Sequence, residues 1–370
     1  MPTRMSGPTP TRRPAPRGEV RVSITDVARE AGVAISTVSA ALNGRTGVSE
    51  PTRERIAGIA ERLGWVPSMR GRSLVAQRAW AVGLLVQRPA SVLEADPFFA
   101  GFIGGVETVL DDAGYALLLQ LASSRERVLR RVPQWAHSEV VDGIFLTDVQ
   151  SDDPRFEVID RVGLPAVAIN CASHPGVSTV AQQHQPGLVA LLQHLLELGH
   201  TRIAHVGGPP GFVHSAEREA VWRATLAAAG VDPGPLVAGD FTSEGGARAA
   251  DLLLATDDPP TAVVCANDLA AIGFISRAGT LGFVVPAQIS VTGFDGIQLS
   301  GFTSPPLTTV QTSPHDLGAE AARLLLHLIG TGEVLHHEIP PAQLLLRAST
   351  APPRPPAPRR RAPALRRALP

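Results

Sequence analysis

Apolar residues follow two different patterns along this chain. Between residues 21 and 66 they recur every three or four positions, which predicts short amphipathic helices. From residue 79 to 349, short continuous apolar runs alternate with longer amphipathic stretches. Such runs predict strands covered on both faces of a parallel sheet, with the covering helices between them. The pattern therefore predicts a small helical domain followed by a large α/β region.

The helical segment 21–66 divides into three predicted helices. We expect Thr25 to cap the first helix and Gly32 to supply the turn into a second helix, which runs from about Ser36 to Leu42. Pro51 marks the first turn of the third helix. Three short helices with a tight glycine turn are typical of a helix-turn-helix unit, although periodicity alone also allows another small helical bundle.

The α/β region contains more strand–helix units than one small sheet needs. We therefore predict two α/β lobes with a cleft, in which ligands bind beyond the carboxyl ends of the strands. The predicted strands cover residues 80–87, 115–122, 141–147, 165–170, 202–208, 261–267 and 290–295.

Charge is distributed unevenly along the chain. Residues 1–78 carry 13 Arg against six acidic residues, residues 79–350 carry 14 Arg against 28, and residues 351–370 carry six Arg and no acid. A basic segment on an acidic globule predicts that one end contacts a polyanion. The tails 1–20 and 351–370 are rich in Pro and Arg and are predicted to be disordered.

Several classes of protein are excluded by what the sequence lacks. There is no long uninterrupted apolar run and no secretory signal, so we expect a cytoplasmic protein without a membrane span. The two cysteines, Cys171 and Cys265, each follow an apolar run and are predicted to be buried free thiols.

Catalytic and metal-binding motifs are also missing. No nucleophile elbow, zinc-protease motif, phosphate-binding loop or dinucleotide fingerprint occurs. The adjacent His336 and His337 would point to opposite sides of a strand, which favours a surface position over metal binding. We predict that the protein is not an enzyme and needs no cofactor or metal.

One long run resembles a known DNA-binding domain. "ITDVAREAGVAISTVSAALNGRTGVSEPTRERIAGIAERLGWVPSMRGRSL" resembles the head of the LacI/GalR family of bacterial transcription regulators. Further segments that resemble family landmarks follow in the expected order: "DPFFAGFIGGVE", "VDGIFL", "LLELGHTRIAHVGGP", "ANDLAAIG", "ISVTGFDGI" and "SPPLTTV". The resemblance implies an all-α helix-turn-helix head (21–66), a hinge helix (67–78) and a two-lobed, periplasmic-binding-protein-like core of parallel sheets (79–349).

The resemblance also implies how the head meets DNA. A homodimer, with a tetramer left open, would bind double-stranded operator DNA, and the second helix of each subunit would enter a major groove. The hinge helix would insert an apolar wedge into the minor groove, and Leu74 matches that position. The implied DNA contacts are Ile35, Ser36, Thr37, Ser39, Ala40, Asn43, Ser49, Thr52 and Leu74.

The base-reading positions depart from the usual family pattern. Family members very often carry Arg where this chain has Ala40, and Arg can bind guanine through two hydrogen bonds. Ala40 offers only a methyl group, and Ile35 is also apolar. We therefore expect operator choice to depend on Ile35, Ser36, the Leu74 wedge and DNA deformability.

For the core, the resemblance implies a small effector between the lobes. Aromatic faces together with Asn, Asp and Arg side chains suit a sugar. The implied effector contacts are Phe98, Phe99, Asn170, Arg218, Phe241, Asn267, Asp268 and Asp295. Where the family often has Asp-Asn, this chain reads "QQHQ", with Gln183 and His184, which alters either the lobe contacts or the effector choice.

Together these features predict a sequence-specific transcriptional regulator, most simply a repressor, controlled by a sugar. A purine- or nucleoside-responsive regulator is the first alternative. A solute-binding protein of a transport system would share the two-lobed core, but the basic head and the missing signal peptide argue against it.

Overall fold

A computed structural model describes residues 22–42, 47–65, 78–88, 90–122, 124–171 and 174–354. They fall into two compact units, Met1–Gln77 and Arg78–Pro370. The predicted tails (apart from residues 351–354), nearly all of the predicted hinge helix, Asn43 and Leu74 lie outside the described residues. The hinge and tail assignments therefore remain predictions.

The first unit contains the three expected helices, α1 (Ile24–Ala31), α2 (Ile35–Leu42) and α3 (Glu50–Arg62). The cap of α1 differs from the prediction, because Ser23 and not Thr25 precedes the helix. The Ser23 hydroxyl accepts from the Asp26 amide at 3.4 Å, and the Asp26 carboxylate accepts from the Ser23 amide at 3.0 Å. This reciprocal pair needs an acidic residue three positions after the cap. Ser23 has Asp26 at that position, whereas the residue three positions after Thr25 is apolar.

A small apolar core holds these helices together. Val27, Val38 and Ile56, one from each helix, are fully buried. Gly32 has φ 66°, which lets the chain turn between α1 and α2. Arg55 of α3 donates to the carbonyl of Ala31 at 3.0 Å and so satisfies the carboxyl end of α1.

The second unit begins with an α/β lobe, the N-lobe. Its elements are β1 (Ala81–Val86), α4 (Ala90–Ala95), α5 (Pro97–Ala113), β2 (Ala116–Leu121), α6 (Arg125–His137), β3 (Gly143–Leu146), α7 (Arg155–Val162), β4 (Ala166–Ile169), β5 (Ser178–Gln182), α12 (Pro314–Thr331) and β11 (His336–Ile339). All neighbouring strands of its sheet run parallel in the order β11-β5-β4-β3-β1-β2, as the sequence pattern predicts.

The remaining elements form the C-lobe. These elements are α8 (Gln185–Glu197), β6 (Ile203–Val206), α9 (Val213–Ala228), β7 (Leu236–Val237), α10 (Ser243–Leu254), β8 (Ala262–Cys265), α11 (Asp268–Thr280), β9 (Ser290–Asp295), the 3-10 turn Gln298–Gly301, β10 (Thr308–Gln311) and β12 (Gln343–Leu345). The sheet of the C-lobe has the order β12-β10-β9-β8-β6-β7, and β12 is the antiparallel edge strand.

The chain crosses between the lobes three times, after β5, after β10 and after β11. Gln182 joins the three crossings, because its side chain accepts from the Ser313 amide at 3.0 Å and donates to the Pro340 carbonyl at 2.9 Å. These bonds tie the crossings into one hinge.

Two of the strands that the sequence pattern missed, β5 and β11, share a physical cause. β5 is buried but carries Ser178, Thr179 and Gln182, and β11 has three exposed residues out of four. Such strands lack the continuous apolar run by which central strands are recognised.

The predictions about membrane spans, the adjacent histidines and the two cysteines concern residues that the structure describes. Within these ranges no helix has the length and apolar content that crossing a bilayer requires. His336 and His337 are exposed on β11, as predicted. Among the described residues, no three or more His, Cys, Asp or Glu side chains form a group that could hold a metal ion. Cys265 is buried as expected, whereas Cys171 is only half-buried because it lies in the loop after β4 at the edge of a cavity.

Helices α5 and α12 pack so closely that glycine is required at their contact. A Cβ on Gly105 would collide with the backbone of His315, whereas one on its exposed neighbour Gly104 would meet only the His315 ring at 3.8 Å. We expect Gly105→Ala to lower the free energy of unfolding by about 1–3 kcal/mol, as overpacking does. Gly104→Ala should raise it by about 0.5–1 kcal/mol, since alanine favours the helix.

Urea denaturation of both full-length variants, followed by circular dichroism, measures the difference. Equal unfolding midpoints for the two variants would contradict this account of the α5–α12 contact.

Candidate functional site

A cavity lies between the lobes, where the carboxyl ends of both sheets face each other. We call it the inner cavity, and its lining residues are Arg88, Asp96, Phe98, Thr147, Asp148, Ile169, Asn170, His214, Arg218, Phe241, Asn267 and Asp295.

Six of the eight predicted effector contacts line this cavity, and Phe99 and Asp268 do not. Phe99 is 1% exposed and packs in the N-lobe core, because it faces the sheet from α5. The Asp268 carboxylate accepts from the Ile297 amide at 2.8 Å and from the Thr309 hydroxyl at 2.5 Å. Asp268 therefore connects α11 to β10 and to the loop after β9, which is a structural role.

Arg218 and Asp295 supply opposite charges to the cavity from the C-lobe. Arg218 donates to the Ala266 carbonyl at 2.6 Å, and its guanidinium lies 3.8 Å from the centre of the Phe294 ring. Burial raises the pKa of Asp295 well above its ordinary value, although Arg218 opposes this shift. No ion pair within 4.0 Å joins these two described side chains, so both keep hydrogen-bonding capacity for a third group.

Two buried polar atoms at the cavity lack a partner among the described residues. They are the Nε of Arg218 and the hydroxyl oxygen of Thr147. Buried polar atoms are nearly always hydrogen-bonded in proteins. These atoms therefore indicate where a polar ligand would complete the bonding.

A second cluster of charge comes from the N-lobe. Arg88 donates to Asp148 through two bonds, from Nε at 2.7 Å and from Nη2 at 2.5 Å, and Asp96 lies 3.8 Å away. Burial alone would lower the pKa of Arg88, but Asp148, Asp96 and Asp295 together outweigh this effect and the pKa is raised. Burial also raises the pKa of Asp96.

Sequence reasoning missed this cluster, although a signal was present. Arg88 follows β1 and Asp148 follows β3, so both stand beyond the carboxyl ends of strands. The same rule selected Asn170 and Asp295.

The aromatic wall belongs mainly to the C-lobe. The rings of Phe212, His214 and Phe241 stack in sequence, with centroids 5.6 and 5.5 Å apart. Burial lowers the pKa of His214 to about 3, so this ring is neutral at physiological pH. The Arg88 guanidinium lies 5.5 Å from the Phe212 centroid and 5.3 Å from that of Phe241, and so bridges the lobes.

Four lining residues adopt the left-handed backbone region, which is unfavourable for side chains other than glycine. They are Asp148 (φ 52°), Asn170 (φ 50°), Phe241 (φ 64°) and Asp295 (φ 112°). Such conformations persist where the surrounding structure enforces them, and they concentrate at functional sites. Here they turn the chain sharply at strand ends and before α10, which aims the side chains into the cavity.

Two sets of hydrogen bonds lie at the edges of the inner cavity. Opposite the hinge, the Val213 amide donates to the Val149 carbonyl at 3.0 Å, and the Ser151 amide donates to the Gly211 carbonyl at 3.1 Å. We call this pairing of the two lobes the clasp. At the hinge, the Asn170 side chain accepts from the Gln182 amide at 3.0 Å.

The two residues that departed from the family pattern lie at the first crossing. The His184 ring packs edge-on against Phe294, with centroids 5.0 Å apart, and Gln183 donates to Glu338 at 2.5 Å. They therefore contribute contacts around the hinge.

In the head, the predicted base-reading residues all lie on α2, with Ile35 and Ser36 at its start and Ala40 about one turn further along. Ile35 is 48% exposed, which is unusual for a large apolar side chain, and Ser36 is exposed. Ala40 is half-buried, as are Thr37 and Ser39. Ser49 and Thr52 share a hydrogen bond of 2.8 Å at the start of α3.

Comparison with known proteins matches both units. Residues 23–68 match the model for bacterial regulatory proteins of the lacI family, and residues 192–350 match a periplasmic binding protein-like domain. The HTH-type transcriptional regulator CelR of Thermobifida fusca is 34% identical over 319 residues, covering 85% of this chain and 93% of the relative. The ribose operon repressor of Escherichia coli is 32% identical over 311 residues, covering 83% and 93%.

Solved structures agree with this assignment. A CelR–cellobiose complex has a TM-score of 0.68 at 31% identity and covers 89% of this chain and all of its own. The lac repressor dimer bound to operator and an anti-inducer has a TM-score of 0.78 at 25% identity and covers 89% and 99%. With its helix-turn-helix head and its two-lobed core, the chain belongs to the LacI family of bacterial transcriptional regulators.

Proposed function

We propose that this regulator represses transcription as a homodimer on operator DNA, and that an uncharged sugar in the inner cavity controls its affinity for the operator. The observation that carries the effector proposal is the lining of a single cavity by Arg218, Asp295 and the Phe241 ring. The operator-bound lac repressor dimer supports the DNA and dimer parts of the proposal.

The polar groups of the cavity fit hydroxyl groups well. A sugar hydroxyl can accept from Arg218 and donate to Asp295, and hydrogen bonds to charged groups are the stronger ones. Asn170 and Asn267 add amide groups to the lining, and the Phe241 ring offers a face for the apolar side of a pyranose. CelR, which was solved with cellobiose, is a relative with a sugar ligand.

The cavity's charge disfavours an anionic effector. The lining holds the carboxyl groups of Asp96, Asp148 and Asp295, and of its two guanidiniums that of Arg88 is already paired with Asp148. A phosphorylated sugar would place its negative charge beside these carboxyl groups, with Arg218 as the remaining guanidinium of this lining. An uncharged sugar avoids this repulsion.

For the head, we propose that α2 enters the major groove. Ile35 and Ser36 are exposed at its start, and Ala40 lies about one turn further along. The exposed Ile35 side chain suits contact with a thymine methyl group, which is the apolar feature of the major groove.

Replacing Asp295 tests the effector site. We expect Asp295→Asn to weaken sugar binding about tenfold or more, because a charged acceptor is lost. Calorimetry measures binding of glucose, galactose, mannose, xylose, their phosphates, their di- and trisaccharides, and nucleosides. The control Asp257→Asn, an exposed carboxylate of the same lobe, should leave binding unchanged. Tightest binding of a nucleoside or a sugar phosphate would contradict the proposed effector class.

Replacing Ala40 tests base reading. Selection of bound sequences from random DNA should show that Ala40→Arg changes the preferred half-site toward guanine, since arginine can bind guanine through O6 and N7. Ala57→Arg, at an exposed position of α3, adds the same charge and should raise affinity without changing the preferred sequence. If the two variants select the same sequence, Ala40 does not face the bases.

A further inference from the structure

A second and larger cavity adjoins the inner one on the hinge side. Its volume is about 480 Å³, against about 60 Å³ for the inner cavity, and we call it the outer chamber. Its walls come from the first crossing, from α9 and from the loop after β4. Neither the clasp residues nor the aromatic stack belong to its lining.

Two residues line both cavities, namely Asn170 and Arg218. The inner cavity and the outer chamber therefore lie on two sides of these side chains. Arg218 is held by the Ala266 carbonyl, and Asn170 is held by the Gln182 amide, so both are fixed at the junction. A ligand bound to either side chain lies next to the outer chamber.

The rest of the inner cavity offers less room for a long ligand. The clasp joins the lobes opposite the hinge, and Arg88 lies between Asp148 and the rings of Phe212 and Phe241. A ligand longer than one ring would therefore extend past Asn170 and Arg218 and into the outer chamber.

The chemistry of the outer chamber suits a second sugar ring. Gln183, Gln185 and Glu217 provide amide and carboxylate groups, which match hydroxyls. Pro186 and Val221 provide apolar surface for the ring's carbon face. The chamber combines polar edges with an apolar wall, as the inner cavity does.

We propose that the outer chamber is a second subsite and that the effector is an uncharged oligosaccharide of at least two units. One unit occupies the inner cavity, and the next occupies the outer chamber. This inference rests on the proposed function, because it names the class of sugar that the regulator senses.

Ala220 allows a selective test. It is an exposed residue of α9 that lines the outer chamber and not the inner cavity. Ala220→Phe should fill the chamber while leaving the inner cavity open. Ala224→Phe, one turn further along α9 and also exposed, is outside both linings and is the matched control.

The experiment is calorimetry on the full-length protein with glucose, galactose, mannose and xylose and with their di- and trisaccharides. In the sugar series that binds, the disaccharide should bind about tenfold more tightly than its monosaccharide, because it gains hydrogen bonds to the second subsite. Ala220→Phe should abolish this advantage and keep the monosaccharide affinity, and Ala224→Phe should keep both.

The outcomes separate the two proposals. Equal affinity for mono- and disaccharide, or an advantage that survives Ala220→Phe, would overturn the second subsite and leave a sugar effector standing. If none of these sugars binds, the proposed sugar effector fails, and the second subsite fails with it.

Discussion

The three crossings between the lobes are the constraint on which the candidate site depends. Because the chain passes from one sheet to the other after β5, β10 and β11, the carboxyl ends of both parallel sheets face one cleft. Polar residues at strand ends then meet across that cleft although they are far apart in sequence. The Gln182 side chain links the three crossings by hydrogen bonds, and its backbone amide donates to Asn170, so one residue connects the hinge to the cavity.

Buried charge shapes the cleft further. A buried ion is costly unless it is paired, and the two arginines meet this requirement differently. Arg88 is bound by Asp148 within its own lobe and stacks against rings of the other lobe, so its charge is largely satisfied by protein. Among the described residues, Arg218 donates one hydrogen bond and its Nε has no partner, so it keeps hydrogen-bonding capacity at the cavity. The two arginines thus differ, because Arg88 bridges the lobes and Arg218 retains an unused donor.

Much of the fold could be predicted because central parallel strands are continuous apolar runs. The strands β1, β3, β4, β6, β8 and β9 were found in this way, and so was the edge strand β2, which also has an apolar run. The three helices of the head were found from their periodicity. β5 was missed because its buried residues include polar ones, β7 because it has only two residues, and β11 because its exposed residues are polar. Thr25 was chosen as a cap because a single hydroxyl was considered without its reciprocal acid, which Ser23 has in Asp26.

For the site, the sequence by itself determined which side chains stand beyond strand ends, and it determined that Ala40 cannot read guanine as arginine does. Tertiary structure decided which of those side chains reach the cavity. Neighbouring residues of a helix point about 100° apart, so Phe98 lines the cavity while Phe99 enters the core. Asp268 at the start of α11 bonds to β10 and to the loop after β9, while the N-cap residue Asn267 lines the cavity. The Arg88–Asp148 pair and the contact of Arg88 with the rings of the other lobe join residues 60 or more positions apart. Such contacts exist only after both sheets have folded and the crossings have brought them together.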